Sequence, residues 1–188
     1  MLDRNMIFWL LGGAGMLYLL TRADVRGFAQ TGVDDVTAAM AGWKQVQQGS
    51  VWVPVINQTE SANGIPTDLL ARMAYQESHF RPDIISGIKT SSVGALGILQ
   101  LMPQFFQTVN VPIPYTTSDV LAQISEAARY LQSLYNQFGD WGVAVAAYND
   151  GPGNIRQYLA GNRDLPSETL DYVTGILSDV PVPSTLRA

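Results

Sequence analysis

No cysteine occurs anywhere in this chain of 188 residues. That removes disulfide staples, thiolate zinc sites, a thiol nucleophile and a lipid-modified cysteine anchor at once. Histidine is almost as scarce. His79 stands alone, so a multi-histidine metal site is ruled out and a Ser–His–Asp triad would have to pass through that one residue. It lies two positions after Glu77, off that residue's helical face, and reads as a rim residue. Basic charge is in deficit, with 11 Lys and Arg against 16 Asp and Glu and a net charge of −5. A phosphate-backbone binder needs a basic stripe, which argues against nucleic acid as a partner. Charged residues make up only 14% of the chain and hydrophobic ones 47%. Such a balance is too apolar for disorder and fits one domain with a sizeable core, plus an appendage.

The appendage is N-terminal. Met6 to Leu20 (MIFWLLGGAGMLYLL) is uncharged throughout, between Arg4 and Arg22. As a helix it would span about 22 Å, short of the roughly 30 Å hydrocarbon core. Three readings stay open. A signal-peptide core fits the length, although Thr21-Arg22-Ala23 is a mediocre cleavage site. An uncleaved anchor fits Trp9, Tyr18 and the small-residue run Gly12-Gly13-Ala14-Gly15. The third is a buried core helix. The expectation taken forward is an apolar membrane helix within residues 1–26, with the membrane as a partner through residues 6–20. Arg22 and Arg26 weakly place its C-terminal side in the cytoplasm, which conflicts with the substrate considered below.

Residues 27–51 form a second region, where Val33, Val36, Met40 and Trp43 recur at helical spacing, an amphipathic linker helix. Residues 52–188 read as a mainly α domain. Thr67 to Phe80 follows Pro66 and sets Leu70, Met73, Ala74 and Glu77 on one face. Ile124, Ala127, Ala128, Leu131, Leu134, Tyr135 and Phe138 make a 3.6-residue stripe stopped by Gly139. Trp141–Asn149 and Ser167–Leu177 are further short helices. Alternating strand patterns are scarce.

Glu77 carries the chemistry. It takes an apolar-face position near a helix end set by Arg81-Pro82. Apolar neighbours disfavour a charged carboxylate and raise its pKa toward neutrality, which suits a general acid. In Ser91-Ser92-Val93-Gly94-Ala95-Leu96-Gly97-Ile98-Leu99-Gln100-Leu101-Met102-Pro103, the glycines permit close approach of backbone to a ligand. Gln100 there offers a donor and an acceptor to a sugar hydroxyl or acetamido group. In Ala146-Ala147-Tyr148-Asn149-Asp150-Gly151-Pro152-Gly153, a helix of small residues ends in a Gly-Pro-Gly turn, and Tyr148 would point its hydroxyl into a shared cleft.

In this order the motifs resemble the catalytic domain of the soluble-lytic-transglycosylase type, within the goose-type lysozyme-like superfamily. The matching parts are Glu77-Ser78-x-Phe80-x-Pro82, Ser91-x-x-Gly94-Ala95-x-Gly97-x-x-Gln100-x-Met102-Pro103 and Ala147-Tyr148-Asn149-x-Gly151-Pro152-Gly153. Glu168-Thr169-x-x-Tyr172-Val173 closes the series. The resemblance spans roughly Val53 to Leu177. Tyr75 to Phe80 with Asp83 to Gly87 looks most like versions carried by tailed phages and prophages. Leu99 and Asp150 depart from the usual Met and Ala.

The resemblance implies a lysozyme-like helical fold and cleavage of the MurNAc–GlcNAc bond of peptidoglycan to a 1,6-anhydro end. Glu77 would serve as both acid and base, with no metal or cofactor. It further implies that Tyr148 hydrogen-bonds Glu77, that Ser91 and Gln100 hold the acetamido and muramyl groups, that Met102 lines the cleft and that Asn149 anchors its helix end. Glu168 and Tyr172 would be structural or rim residues. The setting implied is a virion component, working with other virion proteins to open the wall of a bacterium locally during genome entry. Other readings are a bacterial cell-envelope transglycosylase, an inverting lysozyme using Asp83 or Asp150 as the second carboxylate, and a non-catalytic glycan binder.

Overall fold

The computed structural model describes residues 6–11, 17–21, 42–46 and 48–186. Strands β1 (Met6–Leu11) and β2 (Leu17–Thr21) pair antiparallel, with Leu11 opposite Leu17 and Phe8 opposite Leu20. This corrects the expected apolar helix. Ile7, Phe8, Trp9 and Tyr18 favour strands, and each glycine of the Gly12–Gly15 run would cost a helix about 1 kcal/mol relative to alanine. No helix among the described residues is long and apolar enough to cross a membrane, so the anchor inferred from that helix has no counterpart there. The expected linker helix falls mostly on residues outside the described ones. Of its apolar positions, Trp43 lies in a single 3₁₀ turn, Gly42–Lys44, and is buried.

Seven helices follow among the described residues: α1 (Gly49–Asn63), α2 (Leu69–Ser78), α3 (Pro82–Ile85), α4 (Thr117–Phe138), α5 (Trp141–Asp150), α6 (Pro152–Leu159) and α7 (Ser167–Asp179). The boundary drawn at 51/52 falls inside α1. Helix α4 starts at a reciprocal cap, in which Thr116 accepts from the Asp119 N–H and Asp119 from the Thr116 N–H at 2.7 Å. It buries Val120, Ile124, Ala127, Ala128, Leu131 and Leu134. The stripe read from the sequence is this face.

Helix α5 has little polar face to spare, because Trp141 through Ala147 are all buried. It packs between α4, α6 and α7. Its small residues allow close approach. A Cβ on Gly142 would stand 2.0 Å from the Ser184 Oγ of the C-terminal segment and 3.2 Å from the Leu177 side chain. Helix α7 also lies against α2, which brings two distant stretches of sequence side by side.

The glycine-rich stretch forms tight turns. The Ser91 hydroxyl accepts from the Ala95 N–H at 2.9 Å, and Leu96 bridges Leu101. Gly97 has φ +75°, and a Cβ there would lie 2.2 Å from Oε1 of the fully buried Gln123. The positive φ favours glycine here, and a Cβ would also displace the Gln123 amide.

Candidate active site

Helix α2 positions Glu77, and its start is secured from outside. Asp68, at the helix's N-cap, has φ 71° and makes no side-chain cap. Its carboxylate is engaged by Lys44 and by Asn57. Two N–H groups at the start of α2 are taken instead by Glu60 of α1, which accepts from the N-cap Asp68 at 2.7 Å and from Ala71 at 2.9 Å. At the other end His79 and Phe80 both adopt positive φ. The His79 N–H closes onto the Tyr75 carbonyl at 2.7 Å, and the Phe80 ring is fully buried. Glu77 thus stands in the last turn of a helix pinned at both ends.

Burial pushes the Glu77 carboxyl up to about 7, against the opposing effect of a hydrogen bond from Tyr172. The negative end of the α2 dipole acts in the same direction as burial. The Tyr172 hydroxyl donates to Glu77 Oε1 at 2.7 Å. Burial first, and then the Glu77 charge, push the Tyr172 hydroxyl well above its ordinary range, so it stays a donor. Glu60 is also pushed up to about 7 by burial. It is fully buried, however, and both its oxygens are held by backbone N–H groups. Of the two, Glu77 is the one on the wall of a cleft.

That access is a cleft of about 530 Å³ lined by Gln76, Glu77, Asn149, Ser167, Glu168, Asp171 and Tyr172. The walls come from α2, the end of α5 and the start of α7. Asn149 is fixed by the Thr169 hydroxyl, which donates to its Oδ1 at 2.9 Å. Among the described residues no group of His, Asp and Glu is placed to hold a metal ion.

The site residues expected from sequence divide into two sets. Glu77, Asn149, Glu168 and Tyr172 line the cleft; Ser91, Gln100, Met102 and Tyr148 do not. Ser91 closes its own turn, and the half-buried Gln100, at φ 47°, donates from Nε2 to the Gly97 carbonyl at 2.9 Å. Met102 is half-buried beyond the Leu96–Leu101 bridge.

The hydrogen bond expected from Tyr148 to Glu77 is made by Tyr172 instead. Tyr148 donates to the carbonyl of Leu99 at 3.0 Å. Leu99 is fully buried, and a buried carbonyl needs a partner. Tyr148 still lies close enough for the Glu77 charge to add to burial in raising its pKa.

Neither carboxylate weighed for hydrolysis lines the cleft. Asp83 is paired with Arg81 at 2.6 Å on the surface, and Asp150 with Arg163 at 3.1 Å. The acidic residues beside Glu77 are Glu168 and Asp171. Gln76, Ser167 and Asp171 had not been expected in the site. For two of them the signal was there, since Ser167, Glu168, Asp171, Tyr172 and Gly175 repeat at helical spacing as one polar face. Gln76 had no such signal.

A raised carboxyl, held by a buried tyrosine in a polar cleft between helices, makes a candidate acid–base site on a helical domain. Residues 54–170 match the model of the transglycosylase SLT domain, and the chain belongs to that family. It is 34% identical over 137 residues to the soluble lytic murein transglycosylase of Escherichia coli K12, covering 63% of this chain and 20% of that protein. It is 32% identical over 119 residues to the membrane-bound lytic murein transglycosylase D of the same strain, covering 54% and 25%. The fold is shared with lytic transglycosylase Slt from Pseudomonas aeruginosa, solved as an inactive mutant with Gln in place of a Glu. The TM-score is 0.53 at 25% identity, over 83% of this chain and 29% of that one. The chain therefore spans a fifth to a quarter of these curated relatives.

Proposed function

We propose that this chain is a peptidoglycan lytic transglycosylase in which Glu77 acts first as acid and then as base. Protonated Glu77 gives its proton to the oxygen joining MurNAc C1 to GlcNAc, and the C1–O bond breaks. The acetamido group of the same MurNAc supports the cationic C1. The Glu77 carboxylate then takes the proton of the MurNAc 6-hydroxyl, whose oxygen bonds to C1. A 1,6-anhydro end results, and Glu77 is protonated again. Attack by a hydroxyl of the same ring has the advantage of an intramolecular step.

The observation that carries this reading is the Glu77 carboxyl raised to about 7 on the wall of the cleft, with Tyr172 on its Oε1. A pKa near neutrality lets one group both give and take a proton within a single turnover. The names of the relatives point to the same reaction, as does the loss of activity in the Pseudomonas Glu-to-Gln mutant.

Mass spectrometry of muropeptides released from purified peptidoglycan tests the reading. Anhydro ends, lighter by one water than reducing ends, are expected. Reducing ends would make the enzyme a hydrolase, with Glu168 or Asp171 activating the water.

The setting we propose is a phage particle opening the wall locally, supported by the phage-like stretch Tyr75–Phe80 and Asp83–Gly87. Detection of the chain in purified virions tests this, and its presence only in uninfected cell envelopes would contradict it.

A further inference from the structure

Gln76 stands beside Glu77 in the cleft wall and one helical turn after Arg72. Arg72 is a core arginine, only 6% exposed. Its Nε donates to Asp179 at 2.6 Å, its Nη2 to the Gly175 carbonyl at 3.0 Å and its Nη1 to Gln76 Oε1 at 2.9 Å. Its guanidinium also lies 5.2 Å from the Tyr75 ring centre. Four partners from two helices fix this group.

The orientation of the Gln76 amide follows from it. A guanidinium has donors and no acceptor, so the Gln76 atom facing Nη1 has to be the carbonyl oxygen. The usual ambiguity between the two ends of a carboxamide is thereby removed. With Oε1 held by the buried arginine, Nε2 is the polar atom left for the cleft. It has no hydrogen-bond partner among the described residues. Asn149 is treated alike from the α5 side, its Oδ1 taken by Thr169.

The rest of the lining says what such a donor would meet. Glu77, Glu168 and Asp171 bring carboxyl groups, the Tyr172 hydroxyl is spent on Glu77, and the lining holds no Lys, Arg or His. A substrate carboxylate would be repelled here. A neutral acceptor would not, and an acetamido carbonyl is the strong neutral acceptor on every N-acetylated ring of a glycan strand.

We propose that Gln76 is a substrate-recognition residue that donates from Nε2 to the acetamido carbonyl of an N-acetyl sugar next to Glu77, and that Arg72 is the positioning residue that keeps the amide turned that way. The inference rests on the functional reading above and names a contact which that reading does not require.

The test measures binding of chitopentaose by calorimetry in the inactive Glu77→Gln background, where no cleavage or Glu77 charge intervenes. Gln76→Glu keeps an acceptor for Arg72 but offers an acceptor to the sugar, and Gln76→Met removes the donor without adding charge. Each is expected to weaken binding about tenfold, as for one lost hydrogen bond with its acceptor left desolvated, and Gln76→Glu, which keeps the Arg72 contact, is expected to do so without a lowered thermal midpoint. Arg72→Lys is expected to weaken binding when Gln76 is present and to add nothing when position 76 is Met. A purely structural arginine would weaken both equally. Binding within threefold of the parent for both Gln76 variants overturns the inference and leaves the functional reading standing. A folded Glu77→Gln parent that binds no oligosaccharide overturns both.

Discussion

Glu77 and Glu60 share a raised pKa and its cause, yet they have different work. Glu60 offers both oxygens to backbone N–H groups and sees no solvent, whereas Glu77 faces the cleft with one oxygen held by Tyr172. The Tyr172 hydrogen bond favours the carboxylate, so its loss should raise the Glu77 pKa further. In Tyr172→Phe the alkaline limb of the pH–rate profile is expected to move upward, with turnover falling roughly tenfold. That is less than the 10²–10⁴-fold typical of losing a general acid–base group. An unmoved limb would contradict the role given to Tyr172. Tyr148→Phe is expected to act on stability instead, costing about 1–3 kcal/mol by leaving the buried Leu99 carbonyl without its partner. Chemical denaturation checks this.

At the scale of elements, sequence periodicity located the helices well where one face is apolar. The α4 stripe, the α5 run of small residues and the start of α7 all lie where their patterns put them. Glu77 was legible for the same reason, as a carboxyl on the Leu70–Met73–Ala74 face. What periodicity could not show was contact between elements. The cap on α2 comes from α1, and the Gln76 amide is oriented by an arginine whose other hydrogen-bond partners lie on α7. Local composition misled at the N-terminus. An uncharged run fits a helix by length, but its aromatic and branched residues on either side of a glycine cluster favour paired strands. Glu60→Gln tests the inter-helix cap. An amide can accept from only one of the two N–H groups and turns a donor toward the other. At pH 4.5 or below, where Glu60 is already neutral in the folded chain, the variant is expected to lose roughly 1–3 kcal/mol of stability, with calorimetric unfolding as the measurement; a loss under about 0.5 kcal/mol at that pH would contradict the assignment.

For the molecule as a whole, two raised carboxyls give stability a definite dependence on pH. Both titrate near 7 in the folded chain against an ordinary value of 4.5. Between those values the folded state holds more protons than the unfolded one. Stability is therefore greatest at or below about pH 4.5 as far as these groups are concerned, falls as pH rises toward 7, and levels off above. The change is on the order of 3 kcal/mol for Glu60 alone. Glu77→Gln removes one of the two costs while its carbonyl can still accept from Tyr172. Its thermal midpoint is expected to exceed that of the unsubstituted chain at pH 8 and to match it near pH 4.5. A midpoint lowered at pH 8 would contradict the burial cost assigned to Glu77, which is the stability given up for a carboxyl poised near neutrality.

The same substitution bears most directly on the central claim, that one glutamic acid supplies both proton transfers. The measurement is the initial rate at which purified peptidoglycan yields anhydro-muropeptides, compared between the unsubstituted chain and Glu77→Gln at neutral pH, with both proteins shown to be folded. The account predicts a loss of at least 10²–10⁴-fold, with no reducing-end product taking its place. Turnover by Glu77→Gln within a few-fold of the unsubstituted chain would contradict it.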